Sequence, residues 1–348
     1  MALDDFEPLA TIGAFAARVA AAAGKSTNME LVRREDRAGG NGPLAADAFA
    51  ALGASTTFIG CVADDRDPSR VHPVFERFAA RCGRVVPLGP PGHTEALEFE
   101  DGKVMFNLPG PIQRVGWKDV LAAIEPRELR TTLARADVLM IVNWSIMAGV
   151  EEIVMGLTSL MTDAVFYARP CVFVDLSDPA KRTDADVARV LGLLERFSGR
   201  IAPVTLGLNL AEAQRLARVL GVNAPREDDL AASVPECAGA IRAAAGLDCV
   251  AIHPREGAGG ADANGAAWFD GPLTRTPALS TGGGDNFNAG FALSRACGLS
   301  LAESLAAATG VSGLYVRNAR SPSLAELAAF LADLPGPDAA ESGHRVTR

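Results

Sequence analysis

Positive charge is scarce in this chain. Its 33 Lys and Arg are outnumbered by 42 Asp and Glu, for a net charge of −9 and a pI near 5.1. A nucleic-acid or anionic-membrane partner needs a basic surface, so neither is expected. Paired cysteines are missing as well. Cys61, Cys82, Cys171, Cys237, Cys249 and Cys297 are scattered without a C-x-x-C, a pattern of reduced thiols in a cytoplasmic protein and not of a disulfide framework or zinc site. Histidine is as sparse, and His72, His93 and His253 read as ordinary polar or partly buried residues. No uninterrupted apolar run approaches the roughly 20 residues that span a bilayer. Residues 9–23 are apolar but follow Asp4, Asp5 and Glu7 and are broken by Arg18, so they do not read as a targeting segment. What the chain does have is apolar bulk: 49% of its 348 residues are hydrophobic and 22% charged, enough for a large buried core.

Residues 8–13 read as a first strand, followed by a stretch without clear period. Helical spacing over 41–53 ends on Gly53, 55–62 reads as strand, 68–83 as a helix with Pro73 in its first turns, and 84–88 returns to strand. Residues 93–107 alternate around Asp101-Gly102, a strong hairpin signal. Near-continuous apolar strands are then expected at 137–144, 170–176, 200–208 and 247–254, with helices at 147–163, 181–198, 209–221 and 228–245. That alternation predicts a parallel sheet covered on both faces. The glycine-rich residues 257–265 read as a surface loop, 265–273 as hairpin-like, and the residues from about 335 as a mobile polar tail.

Three motifs carry chemistry. "STGGGDNFNAGF" (280–291) sets three glycines and Asp285 at the mouth of a helix. Glycines there let backbone N–H groups converge on an anion at the positive end of the helix dipole, and a carboxylate facing that anion is repulsive unless it accepts a proton. The plain structural reading is a tight turn capped by Asp285. "GGNGPLAADAFAALGA" (39–54) is another glycine pair leading into a helix. "NLAE" (209–212) places Asn209 and Glu212 one helical turn apart, where they also fit a capping box. "GKST" (24–27) ends like a P-loop, but Val19 stands where that pattern needs glycine.

Together, in this order, the three motifs resemble the ribokinase-like, or phosphofructokinase-B, carbohydrate kinase family, over about residues 12–330. The resemblance implies an α/β fold of three αβα layers, with a central, mostly parallel sheet and a small β lid drawn from 14–38 and 92–112. It implies a single kinase domain over 1–335. ATP would phosphorylate a hydroxyl of a small metabolite, most readily a sugar, with Asp285 as general base and the N–H groups around Gly282, Gly283 and Gly284 as an anion hole. Asn209 and Glu212 would hold Mg²⁺ through water, and Gly257 would contact nucleotide. Gly39, Gly40, Asn41, Arg18 and Asn143 are the candidate substrate contacts, with Trp144 beside them. A homodimer paired through the lids and a monovalent cation are both left open.

The departures from the family pattern cluster. Ala17-Arg18 stands where a sugar-holding aspartate is usual, Leu44 where an asparagine is usual, and Leu279 where an aspartate often helps bind a cation. The phosphoryl-transfer half is therefore intact while the acceptor half is rebuilt. Arg18, Arg33, Arg34 and Arg37 are either a receptor for an acidic substrate or a solvated stretch. A nucleoside or other non-sugar alcohol kinase is the first alternative, although the lid offers only Phe99 and Phe106 for base stacking. A catalytically idle ligand-binding protein is the second.

Overall fold

The computed structural model describes residues 7–162 and 169–336. Its first element is a helix where a strand was expected. The Thr11 hydroxyl accepts the Ala14 N–H (3.1 Å) and opens α1 (Ile12–Ala21), whose alanine-rich sequence favours helix once capped. Gly24-Lys25 then leaves a helix, where a phosphate loop would enter one. Residues 25–39 run on without strands, so the 14–38 region adds a helix and coil to the lid, not β-structure. After α2 (Asn41–Ala51) comes β1 (Thr57–Cys61). The helix expected over 68–83 shrinks to a 3₁₀ turn (Pro73–Phe75) and α3 (Glu76–Ala79), because Pro73 has no N–H and can only begin helical structure. β2 (Arg84–Gly89) pairs in parallel with β1.

β3 (His93–Phe99) and β4 (Gly102–Leu108) form the expected hairpin as a separate two-stranded sheet. It docks on the N-terminal segment: Ile12 N–H donates to Asp101 Oδ1 (2.8 Å), Glu100 N–H to Ala10 O (2.8 Å), and the Phe15 and Phe99 rings lie 5.5 Å apart. The lid's support is thus α1, an element whose helical character the sequence concealed.

Next follow α4 (Trp117–Ala123), α5 (Pro126–Ala134), β5 (Val138–Ile141), α6 (Val150–Thr162), β6 (Cys171–Asp175), α7 (Asp184–Arg200), β7 (Val204–Leu208), α8 (Leu210–Leu220), α9 (Leu230–Ala245) and β8 (Cys249–Ile252). Residue 163 of the helix expected over 147–163 lies outside the described residues. So do residues 337–348 of the tail. β5 to β8 pair in parallel in chain order. Burial alternates along each strand: Val172 and Val174 join the cluster formed with α6, α7, α8 and α9, whereas Phe173 joins the cluster on the opposite face. An apolar strand with no solvated side demands such double cover.

The glycine-rich stretch expected as a surface loop is a buried strand. β9 (Gly257–Asp262) adds antiparallel to β8, and β10 (Gly265–Asp270) to β9, completing a six-stranded sheet in the order β10-β9-β8-β7-β6-β5. Its glycines serve packing: a Cβ on Gly257 would lie 2.4 Å from Phe269 O and 2.7 Å from the Trp268 ring. Gly257, expected to contact nucleotide from a loop, instead starts this strand under Trp268. α10 (Gly283–Ala296), α11 (Leu301–Asn318) and α12 (Leu324–Ala332) complete the second helical layer, with Phe287 and Phe291 of α10 buried beside Phe173 and Phe49. Among the described residues no helix is long and apolar enough to cross a membrane.

If β9 is core, Gly257→Ala overpacks the Trp268 contact and costs roughly 1–3 kcal/mol. Urea unfolding is expected to show a lowered midpoint at unchanged slope. A midpoint equal to wild type would return this segment to the surface.

Candidate active site

The parallel strands end at one edge, where ligands bind in open α/β sheets. Four turns and one helix terminus meet there. After β5, Asn143 takes a left-handed conformation (φ 67°) and its N–H donates to Ser177 Oγ (3.1 Å). After β6, Ser177 and Asp178 are left-handed in succession (φ 58° and 66°). Non-glycine residues held in this region store strain, which tends to collect at functional sites. After β7 comes Asn209, and after β8 comes His253, whose N–H donates to Leu208 O (2.9 Å).

The glycine turn is built by steric exclusion. Gly282 caps α10 at φ 97°, and a Cβ there would lie 2.6 Å from the Tyr315 hydroxyl and 3.0 Å from Leu44. Tyr315 OH donates to Thr281 O (3.0 Å) and fixes the peptide entering the turn. Gly283 N–H makes a long bond to Ser280 O (3.3 Å). The next first-turn donors, Gly284 and Asp285, have no intrahelical acceptor and lie at the positive end of the dipole. His253 stacks on Phe287 (4.6 Å between centroids) behind Gly284, and burial depresses its pKa to about 4, so it stays neutral under the turn.

Three carboxylates sit around this turn, each 8% exposed: Asp175, Glu212 and Asp285. Asp285 Oδ1 is buried with no hydrogen-bond partner. Burial first, then the charge of Asp175, push the Asp285 pKa well above the ordinary aspartate range, while the Asn41 side chain opposes the shift. Glu212 is raised to about 7 by burial and by Asp175. The capping box is real: Glu212 Oε2 accepts Asn209 N–H and Asn209 Oδ1 accepts Glu212 N–H, both at 2.9 Å. Glu212 Oε1 also accepts Asp178 N–H (2.8 Å), tying the β6 turn to α8. Asn209 and Glu212 therefore cap a helix and line the site at once.

Asp175 is the site residue that sequence reasoning missed. Its Oδ1 accepts Ser177 N–H (2.7 Å) and its Oδ2 accepts Asn288 Nδ2–H (2.7 Å). Asn288 lies three positions after Asp285 on α10, so one helix face presents both. The available signal was a lone acid ending an apolar strand at the binding edge of a parallel sheet.

Of the other candidates, Asn41 begins α2 beside Asp285, with Gly40 as its cap at φ 91° and Gly39 exposed. Trp144 is 1% exposed, donates to Glu151 and lies under Arg182, so its ring is taken up by these contacts. Arg18 is exposed on α1 and bonded to Thr27, while Arg33 and Arg37 pair with Asp36 and Glu35 in the exposed coil. Among the described residues, no three His, Cys, Asp or Glu form a direct metal-ligand group. Asp175 and Glu212 nevertheless put hard oxygen donors and uncompensated charge at the edge, which suits a hydrated divalent cation.

An αβα sheet with a glycine turn and buried carboxylates at its binding edge, under a β hairpin, defines a ribokinase-like carbohydrate kinase. Solved structures agree on the fold. A ribokinase of Thermotoga maritima superposes with a TM-score of 0.63 at 16% identity, covering 88% of this chain and 92% of that one. An Escherichia coli protein of the ribokinase type, solved with ATP and Mg²⁺, gives 0.61 at 14% identity, covering 89% and 93%. Residues 1–334 match the family model of the prokaryotic ketohexokinase, and a ketohexokinase of Haloferax volcanii is 30% identical over 331 residues, 94% of this chain and 84% of the relative. The chain belongs to the prokaryotic ketohexokinase family. It is a phosphotransferase acting on a sugar hydroxyl.

A carboxyl group whose folded pKa is raised stabilises fully only below its unfolded value, and that contribution is lost as pH rises through the folded one. Asp285→Asn is therefore expected to raise Tm by several degrees at pH 8 and by less at pH 5. An equal change at both pH values would show that Asp285 carries no buried-charge penalty.

Proposed function

We propose that this protein transfers the γ-phosphoryl group of ATP to a hydroxyl of a ketohexose, with Asp285 taking the hydroxyl proton. The observation that carries this reading is the buried, unpartnered Asp285 Oδ1 directly beside the donor-rich start of α10. The two groups divide the work. Asp285 receives the proton as the alcohol oxygen bonds to phosphorus and the bond to the ADP oxygen breaks, while the free amides of the glycine turn, that of Gly284 among them, stabilise charge on the transferred group. Raised proton affinity suits a base that must accept a proton from an alcohol, and Asn41 orients it from the start of α2. A Mg²⁺ held through water by Glu212, Asn209 and Asp175 would neutralise phosphate charge.

Acceptor choice is supported by the family and by the rebuilt positions around the turn. Leu44, where relatives carry a polar residue, packs against Gly282, which makes this wall of the site apolar. Gly39, Gly40, Asn41 and Asn143 remain the proposed sugar contacts. For Arg18 the geometry favours a role on the lid's outer support. For Gly257 it favours packing over nucleotide binding. Six free cysteines fit a cytoplasmic location. Homodimerisation through the hairpin is supported by Phe106 and Leu108, which share one face of β4 and are each at least 51% exposed.

Two experiments test these readings. With MgATP and a panel of ketohexoses, aldohexoses, ribose, sugar phosphates and nucleosides, a ketohexose is expected to give the highest kcat/KM by at least about tenfold, which corresponds to about 1.4 kcal/mol of transition-state preference. Binding without transfer to any panel member would favour an idle ligand-binding protein. Light scattering is expected to give a dimer that Phe106→Ser with Leu108→Ser converts to monomer; a wild-type monomer would remove the hairpin interface.

A further inference from the structure

The β3–β4 hairpin has two unlike faces. Directly paired residues share a face, so Phe99, Leu97 and Val104 lie on one side, where Phe99 meets Phe15 of α1. Glu98 and Lys103 pair on the other. From that side Lys103 Nζ donates to Thr281 Oγ1 at 3.1 Å, a link across 178 positions between the hairpin and the residue before the glycine turn. The lysine side chain is 28% exposed, whereas its neighbour Glu98, 3.7 Å from the ammonium, is 69% exposed.

Thr281 is consequently gripped at both ends. Its hydroxyl accepts from the lid lysine, and its carbonyl accepts from Tyr315 OH on α11 (3.0 Å). Immediately after it, Gly282 turns the chain at φ 97° into the first donors of α10. The Tyr315 bond holds the carbonyl of the 281–282 peptide and the Lys103 bond holds the Thr281 side chain, so the two together fix the residue from which the glycine turn starts. A charged donor makes a stronger, more directional bond than a neutral one.

We infer that Lys103 is a positioning residue, which acts through Thr281 to complete the setting of the glycine turn, already anchored by Tyr315, when the hairpin is seated over the site. Lid closure and completion of the phosphate-facing turn are then one event. Two consequences follow. Turnover is expected to depend on the link more than ATP binding does, since the link acts on the turn proposed to face the transferred group. Hydrolysis of ATP without sugar stays low, because the turn is complete only under a closed lid that excludes water.

This inference rests on residues 282–284 facing the transferred phosphate. The test is a double-mutant cycle on the full chain with Lys103→Met, which keeps the aliphatic stem, and Thr281→Val, which keeps the shape and removes the hydroxyl. Each single variant is expected to lose about tenfold in kcat with KM for ATP within about twofold. The double variant is expected to be no worse than the poorer single one, because both remove the same bond. Lys103→Arg should recover most of the loss. Multiplying losses, or full kcat in Lys103→Met, would overturn the inference while leaving the kinase reading intact. A wild type that phosphorylates no sugar would overturn the reading beneath it.

Discussion

Everything at the binding edge depends on one juxtaposition: a buried carboxylate held against the positive end of a helix. Asp285 is the third residue of α10, with the Gly282 turn before it and Phe287 and Phe291 anchoring the helix in the core behind it. Alone, either partner is ordinary, an acidic first-turn residue or a glycine cap. Burial and the charge of Asp175, acting against the pull of the helix end, make Asp285 bind a proton more readily than a free aspartate, beside amides that stabilise anionic charge. The proposed proton acceptor and the proposed phosphoryl-stabilising amides would then lie within one helical turn.

The surrounding polar network keeps this arrangement from collapsing. Asp175 repels both Asp285 and Glu212, yet its own oxygens are held by Ser177 and Asn288. Glu212 is held by the amides of Asn209 and Asp178. Each carboxylate is oriented by donors from a different segment, so the turn after β6, the start of α8 and the face of α10 are cross-linked around the shared negative charge. Such buried polar groups are retained for what they do, since an uncompensated charge is unfavourable to the fold alone.

Much of the fold was legible because its strands are apolar on both faces: 170–176 and 247–254 read as interior strands, and β6 and β8 lie within them, β8 pairing in parallel with β7 and antiparallel with β9. The failures have equally physical causes. In 257–265 glycine reads as turn, yet here it makes room for Trp268 against the backbone, a demand set by a residue on the neighbouring strand. Residues 8–13 read as a strand and the segment after them showed no period, whereas the Thr11 cap decides for a helix from Ile12. At the site, Asp285, the three glycines and the Asn209–Glu212 pair were visible because their spacing is local. Asp175 and Lys103 were not, because each acquires meaning from a contact more than a hundred positions away, with Asn288 and Thr281.

The central claim is that Asp285 takes the proton from the acceptor hydroxyl. Its most direct test is the rate of sugar phosphorylation by Asp285→Asn in saturating MgATP, with ATP affinity measured in parallel. The account predicts a loss on the order of 10²–10⁴ in kcat, the range of a lost general base, with ATP affinity held within a few-fold. Turnover within twofold of wild type would contradict it, leaving Asp285 as a helix-terminal carboxylate and the site without its base.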